Sequence, residues 1–160
     1  MVEYIHTILR SKSMIRKMTS SDKEFYLFAA DEFYHTDAVE KPLPMERLNA
    51  NFDEVMRSDV YLEGLILEYG GERAGYCLLT KTFHTEAGMT LWLEDIYILE
   101  QFRGKGLGKE LFAYLDENYS AKFGRLRLEV EDDNEIAVAL YKKNGFRFLE
   151  YKQMIKDIKE

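Results

Sequence analysis

Thr90 to Ala121, TLWLEDIYILEQFRGKGLGKELFAYLDENYSA, joins an apolar strand to a glycine-rich turn and then to an amphipathic helix. In Arg103-Gly104-Lys105-Gly106-Leu107-Gly108, glycine stands at every second position, so successive backbone N–H groups can turn toward one anion with no Cβ in the way. Leu107, Leu111, Tyr114 and Leu115 recur at helical spacing, which starts a helix inside the glycine run and gives it a core-facing stripe. The positive end of that helix faces the same anion. The stretch therefore predicts a phosphate cradle on Gly104, Lys105, Gly106, Leu107 and Gly108, with Arg103, Lys105 and Lys109 adding charge. Two commoner phosphate motifs fail on counting. A Walker loop needs a glycine where Arg103 stands, and a Rossmann fingerprint needs one at Lys109 or Leu111.

Around this stretch the chain reads as alternating strands and helices. Residues 1–13 carry mixed charge and read as an extension in which Ile5, Ile8 and Leu9 make one amphipathic turn. Met14 to Met18 alternates like a strand, and Thr19 to Asp22 offers helix caps. A first helix then runs to about Tyr34 with Phe25, Phe28, Ala29 and Phe33 on one face. Both prolines fall in His35 to Pro44 and end it; Met45, Leu48, Phe52, Val55 and Met56 outline a second helix. Tyr61 to Tyr69, Arg73 to Phe83 and Thr90 to Leu99 form an antiparallel meander, its first turn at Gly70-Gly71-Glu72. In the third strand a period of two puts Trp92, Glu94, Ile96 and Ile98 on one face, and Leu91, Leu93, Asp95, Tyr97 and Leu99 on the other. Glu94 and Asp95 are thus expected on opposite sides of the sheet. Arg125 to Val130 follows the helix as a parallel strand, and a helix begins at Asn134. Phe146 to Leu149 and Tyr151 to Ile158 read as two closing strands. The expected fold is one α/β (α+β) domain over residues 14–160. Its mixed, mostly antiparallel sheet has six to seven strands with a central parallel pair, flanked by about four helices.

A chain of 160 residues with 46% hydrophobic content can bury one good core and is short for two ordinary domains. Its net charge of −7 repels nucleic acid and anionic membranes and attracts cationic small molecules. Ser21 to Asp59 holds ten acids and four bases, a local balance of −6, and five acids crowd Glu129 to Glu135. Such a balance suits either a solvated helix surface or an electrostatic funnel for an amine. The single cysteine, Cys77, lies in an apolar run and reads as core. No apolar run approaches the roughly 20 residues of a membrane span, so the expected location is cytoplasmic.

A second motif gives the first its meaning. Asn134-Glu135-Ile136-Ala137-Val138-Ala139-Leu140-Tyr141-Lys142-Lys143-Asn144-Gly145-Phe146, one strand after R-x-x-G-x-G, resembles the N-x-x-A-x-x-L-Y-x-x-x-G-F helix of the GNAT superfamily of acyl-CoA-dependent N-acetyltransferases. The resemblance runs from Arg73 onward, and LEDIY followed by RGKGLG is similar to the spermidine/spermine N-acetyltransferase-like branch. It implies direct acetyl transfer from acetyl-CoA, with no metal and no covalent intermediate, to a primary amine of a small acceptor. It also implies roles: Glu94 as the base that helps deprotonate the amine, directly or through water; Tyr141 as the acid that protonates the leaving thiolate; Ile96, Tyr97 and Ile98 as the strand whose backbone holds the pantetheine arm; and Asn134 beside the cofactor. By itself Asn134 reads equally as a helix cap. A base is needed because an alkylamine with a pKa near lysine's is neutral at pH 7 only against a deficit of roughly 4–5 kcal/mol. A homodimer is compatible with this reading. Two rivals use the same residues: a non-catalytic acyl-CoA-binding module, and a protein or peptide N-acetyltransferase.

Overall fold

The computed structural model of the chain describes residues 13–39 and 41–158; the expected amphipathic turn at Ile5 to Leu9 lies outside them. Five strands follow the order β1 (Ser13–Lys17), β2 (Leu62–Tyr69), β3 (Glu72–His84), β4 (Gly88–Ile98) and β5 (Arg125–Leu128), and they lie side by side in that order. The first four pair antiparallel, and β4 pairs with β5 in parallel. Helices α1 (Lys23–Phe33) and α2 (Met45–Arg57) precede β2, α3 (Leu107–Tyr119) links β4 to β5, and α4 (Glu135–Lys143) follows β5.

Local chemistry explains most boundaries. Gly70 and Gly71 both adopt positive φ, 62° and 84°, as a two-residue hairpin turn between right-twisted strands requires. Leu107, Leu111, Leu115 and Tyr119 recur every four residues along α3 and are all buried, and each leucine contributes about 1.5–3 kcal/mol of burial. On α1 the buried side chains are Tyr26, Ala29 and Ala30, while Phe28 is exposed. Of the expected face, Ala29 is buried and Phe25 and Phe33 pack partly buried against the core, so the stripe shifts toward Tyr26 and leaves out only Phe28. A helix as apolar as KEFYLFAADEF offers two candidate stripes, and Tyr26 wins by packing edge-on against Tyr76 of β3, with ring centroids 5.1 Å apart.

Two features of the sheet depart from expectation. It has five strands, where six to seven were expected, and the parallel pair lies at one end of the sheet with β5 as the edge strand. Residues 144–158 run beyond α4 outside any helix or strand. Phe146 packs against Phe112 and Tyr141, while Tyr151, Met154, Ile155 and Ile158 recur at spacings of three and four, so Tyr151 to Ile158 lacks the period of two that a half-buried strand needs. Side-chain bonds, Gln153 to Glu129 at 2.7 Å and Tyr151 to Glu86 at 3.5 Å, hold it near β5.

The second departure lies inside β4. Leu78 pairs with Asp95 and Leu79 with Leu93, so Glu94 is an extra residue, a β-bulge. The bulge resets the alternation. Asp95 and Tyr97 share a face with Tyr76 and Leu78, toward α1, whereas Leu91 and Leu93 share a face with Leu79 and Lys81, toward α3. Glu94 turns the same way as Asp95, because it accepts a hydrogen bond from Thr80, which is on the Tyr76 face of β3. The two carboxylates therefore lie on one side of the sheet, contrary to the simple period of two.

Candidate active site

The pairing between β4 and β5 covers only Thr90 to Leu93 against Arg125 to Leu128, and stops just before the bulge. Beyond it, β4 continues through Ile98 with β3 on one side only. The Leu99 N–H donates to Ala74 O at 2.9 Å, which fixes the parity of the strand: odd positions face β3, and the backbone groups of Ile96 and Ile98 face the open edge. That edge is where an extended chain can bond. The Ile98 carbonyl already accepts from Arg103 Nε at 3.0 Å.

At the end of this edge stands the glycine loop. Gly104 and Gly106 have φ of 72° and 87°, with no atom within 4 Å of where a Cβ would sit, and Gly106 is the N-cap of α3. Backbone N–H groups from Gly104 through Lys109 find no acceptor among the described residues; the first to do so is Glu110, which donates to Gly106 O at 3.1 Å. Six consecutive unpaired donors at a helix N-terminus fit a phosphate group. Gly108 has a packing task beside the one expected of its N–H. It is buried inside α3, and a Cβ there would meet Leu140 Cδ2 at 2.9 Å, so its missing side chain lets α4 approach α3. The cations divide similarly. Arg103 lies over the Tyr97 ring at 5.7 Å, and Lys105 lies between Tyr69 and Phe102 at 5.2 and 5.4 Å. Lys109 is exposed on the first turn of α3.

Asn134, Ala137 and Tyr141, at spacings of three and four, fall on one stripe of α4. Asn134 caps the helix, its Oδ1 accepting from Ala137 N at 3.2 Å, which leaves its amide hydrogens to donate elsewhere. Tyr141, two turns on, packs against Phe112 of α3 and Phe146, both at 5.9 Å between ring centroids. Its hydroxyl makes no hydrogen bond among the described residues. Burial pushes its pKa up, with Cys77 adding to the effect, so the phenol keeps its proton at neutral pH. Cys77 is fully buried and its thiol is likewise pushed up, in keeping with a core role.

On the other face, the bulge gathers groups that sequence spacing does not connect. Asp95 is only 4% exposed and is held by two phenols: Tyr34, just past the end of α1, donates to Oδ1 at 2.9 Å, and Tyr76 donates to Oδ2 at 3.0 Å. Burial raises the Asp95 pKa to about 6; the tyrosine bonds oppose the shift, and neighbouring Glu94 adds to it. Glu94 itself is exposed and accepts from Thr80 Oγ1 at 2.6 Å. Arg127, a candidate partner for it, instead stacks on Trp92 at 4.0 Å. Tyr97 donates to Glu32 of α1 at 3.3 Å. The sequence marks Asp95 as a strand charge in need of a partner, but neither Tyr34 nor Tyr76 carries a local signal for that task.

Comparison with known proteins agrees with this geometry. The acetyltransferase (GNAT) family profile matches residues 21–146. Thialysine N-epsilon-acetyltransferase of Caenorhabditis elegans is 40% identical over 96 residues, 57% of this chain and 59% of that protein. Spermine/spermidine N(1)-acetyltransferase of Bacillus subtilis (strain 168) is 33% identical over 95 residues, 55% of this chain and 61% of that protein. The matched region thus spans about six-tenths of the length of these relatives. Among solved structures, a possible acetyltransferase from Clostridium difficile 630 superposes with a TM-score of 0.79 at 18% identity, covering 94% of this chain and all of the other. AAC(6')-Iy in complex with a CoA-linked bisubstrate analog gives 0.77 at 18% identity, covering 92% of this chain and 99% of the other. At such identities the likeness speaks to the fold, which is that of an acetyltransferase. With more than half its length matched by the family profile, and with the loop, split sheet and α4 stripe in place, the chain belongs to the GNAT family of acetyltransferases.

Proposed function

We infer that the chain moves an acetyl group from acetyl-CoA to a primary amine of a small cationic acceptor. The observation that carries this is the sheet opened at Glu94, where, among the described residues, backbone donors on the α3 side are unpaired and Glu32, Glu94 and Asp95 on the α1 side form no ion pair. When bound, acetyl-CoA supplies the acetyl group as a thioester. Gly104 to Lys109 N–H groups, with Lys105 and Lys109, hold the pyrophosphate, and the open backbone of Ile96 and Ile98 aligns the pantetheine arm. Arg103 contributes from the end of β4, where its Nε is already engaged.

Two proton movements remain for side chains. Glu94 takes a proton from the ammonium, directly or through water, so that the nitrogen lone pair is free to form the C–N bond. Tyr141 gives its proton to sulfur as the C–S bond breaks, a task suited to a phenol that burial keeps protonated. Glu94 and Tyr141 belong to opposite faces of the sheet, which fits an amine arriving from the α1 side and a thioester lying along the α3 side. The thialysine and spermine/spermidine acetyltransferase relatives support an aliphatic, multiply charged amine as acceptor, and so does the −6 balance of Ser21 to Asp59.

The test is an acceptor panel followed by free-thiol release, with acetyl-CoA affinity measured separately by calorimetry. Alkyl diamines are expected to be the fastest substrates, with rates that fall as salt rises, because exposed charges are screened beyond about 10 Å at 0.1 M. Tight acetyl-CoA binding with no thiol released for any amine would identify a cofactor-binding module instead.

A further inference from the structure

The hydroxyls on the α1 face share a pattern. Tyr34 and Tyr76 both donate to Asp95, Tyr97 donates to Glu32, and Thr80 donates to Glu94. A hydroxyl has one proton, so each of these oxygens is left with lone pairs only. The carboxylates they serve are acceptors too, and no Lys, Arg or His among the described residues forms an ion pair with Glu32, Glu94 or Asp95. A fifth hydroxyl, Tyr26, is fully buried beside this cluster without a hydrogen-bond partner among the described residues; its ring meets Tyr76 edge-on, and the Asp95 charge raises its pKa after burial itself. Apart from the free Tyr26 proton and Arg103, which lies over the Tyr97 ring at 5.7 Å, the wall is built of acceptors. Its complement is a ligand that is rich in donors and positively charged.

One member of the wall is placed to meet such a ligand. Asp95 and Tyr76 are buried, at 4% and 0% exposed. Tyr34 is half-buried where α1 ends, and Glu94 is near enough to add to the rise in its pKa, after burial and Asp95. We propose that Tyr34, its proton held by Asp95, is a specificity-determining residue that offers a lone-pair-only oxygen beside Glu94 and selects an ammonium-bearing acceptor over a neutral amine. The inference rests on the acetyl-transfer reading above and assigns its acceptor recognition to one phenol. The ammonium donates one N–H to Tyr34 and yields a proton to Glu94. The amine that results keeps an N–H for Tyr34, and rotation about its C–N bond turns the lone pair from Glu94 toward the thioester. Asp95 acts through Tyr34 as a positioning residue, because it fixes which way the phenol proton points.

The experiment compares kcat/KM for putrescine, an alkyl diamine, with that for aniline, which is neutral at pH 7.5, in four proteins: wild type, Tyr34→Phe, Asp95→Asn and Tyr76→Phe. Tyr34→Phe should lower the value for putrescine at least about fivefold, leave aniline within about twofold and leave the KM for acetyl-CoA within about twofold. Asp95→Asn should narrow the ratio as well, since an amide that donates to one phenol frees that phenol's proton. Tyr76→Phe removes an equivalent bond to Asp95 out of reach of the acceptor. It should lower the melting temperature and keep the putrescine-to-aniline ratio within about twofold of wild type. An unchanged ratio in Tyr34→Phe, or an equal narrowing in Tyr76→Phe, would overturn the assignment while leaving acetyl transfer standing. A wild type that binds acetyl-CoA and acetylates neither amine would remove both.

Discussion

Among the described residues three carboxylates are buried, and they are held in two ways. Asp22, with no exposed side-chain surface, is gripped by Arg16 through two bonds at 2.8 and 2.9 Å and by Arg73 at 2.7 Å, with the Thr19 N–H and hydroxyl completing its shell. Glu63 sits between Lys17 at 3.1 Å, Lys81 at 2.7 Å and the Tyr119 hydroxyl at 2.7 Å. Asp95 is as deep as either and has no cation, only two phenols. The consequences run in opposite directions. Burial would raise the Asp22 pKa, yet the Arg16 and Arg73 guanidiniums and the Thr19 bonds hold it well below the usual carboxylate range. Asp95 is pushed up to about 6. Asp22 and Glu63 close the framework, tying β1 and β3 to the turn before α1 and α3 to β2. Asp95 lies on the open side of the bulge, where the missing cation is the one we assign to the substrate.

The largest expected effect tests the closed side. Asp22→Asn strands two arginines and should cost about 3–5 kcal/mol of stability by urea unfolding, against about 1 kcal/mol or less for Asp95→Asn at pH 7.5, where no cation is left behind. Equal losses would erase the distinction. Next comes Glu94→Gln, which should lower kcat/KM for amines about 10²-fold with little change in unfolding, since the side chain is exposed. A loss of stability in place of rate would make Glu94 structural.

Acidity separates the two carboxylates more finely. Folding depresses the Asp22 pKa, so its contribution is present above the ordinary value of 3.8 and is lost as the pH falls below it. Folding raises the Asp95 pKa, so the native state is favoured below 3.8 and loses that advantage as the pH climbs through about 6, by on the order of 2 kcal/mol. Unfolding of Asp95→Asn between pH 4 and pH 7 should therefore lack a decline that the wild type shows. The smallest effect belongs to the cofactor side. Gly106→Ala places a side chain at a φ of 87° and should cost about 1–2 kcal/mol in stability or acetyl-CoA affinity, read by calorimetry.

Much of this frame is legible in the chain. Gly70-Gly71, the mostly apolar runs of β2 and β3, and the four-residue recurrence along α3 each state a local preference that tertiary packing leaves alone. The loop and the Asn134–Ala137–Tyr141 stripe are legible for the same reason, because their geometry is built from adjacent residues. The bulge is not. Trp92-Leu93-Glu94-Asp95 contains no glycine or proline to announce it, and one extra residue moves Asp95 to the face of its neighbour. The groups that then define Asp95, Tyr34 and Tyr76, are 61 and 19 residues away in sequence. Gly108 is legible in part: its place in the alternating run suggests a phosphate donor, and only the position of Leu140 adds a helix contact. In the last segment, apolar content suggests a strand, although the spacing of Tyr151, Met154, Ile155 and Ile158 is closer to helical.

The most direct measurement of the cation-free site is the side-chain pKa of Asp95, followed by carboxyl carbon NMR in the protein with CoA, with and without saturating putrescine. The account predicts a value near 6 without the diamine and a fall of at least about one unit with it, equivalent to about 1.4 kcal/mol of coupling, while Asp22 does not move. An Asp95 that titrates near 4 in the free protein, or one that keeps its raised value when putrescine is bound, would contradict it.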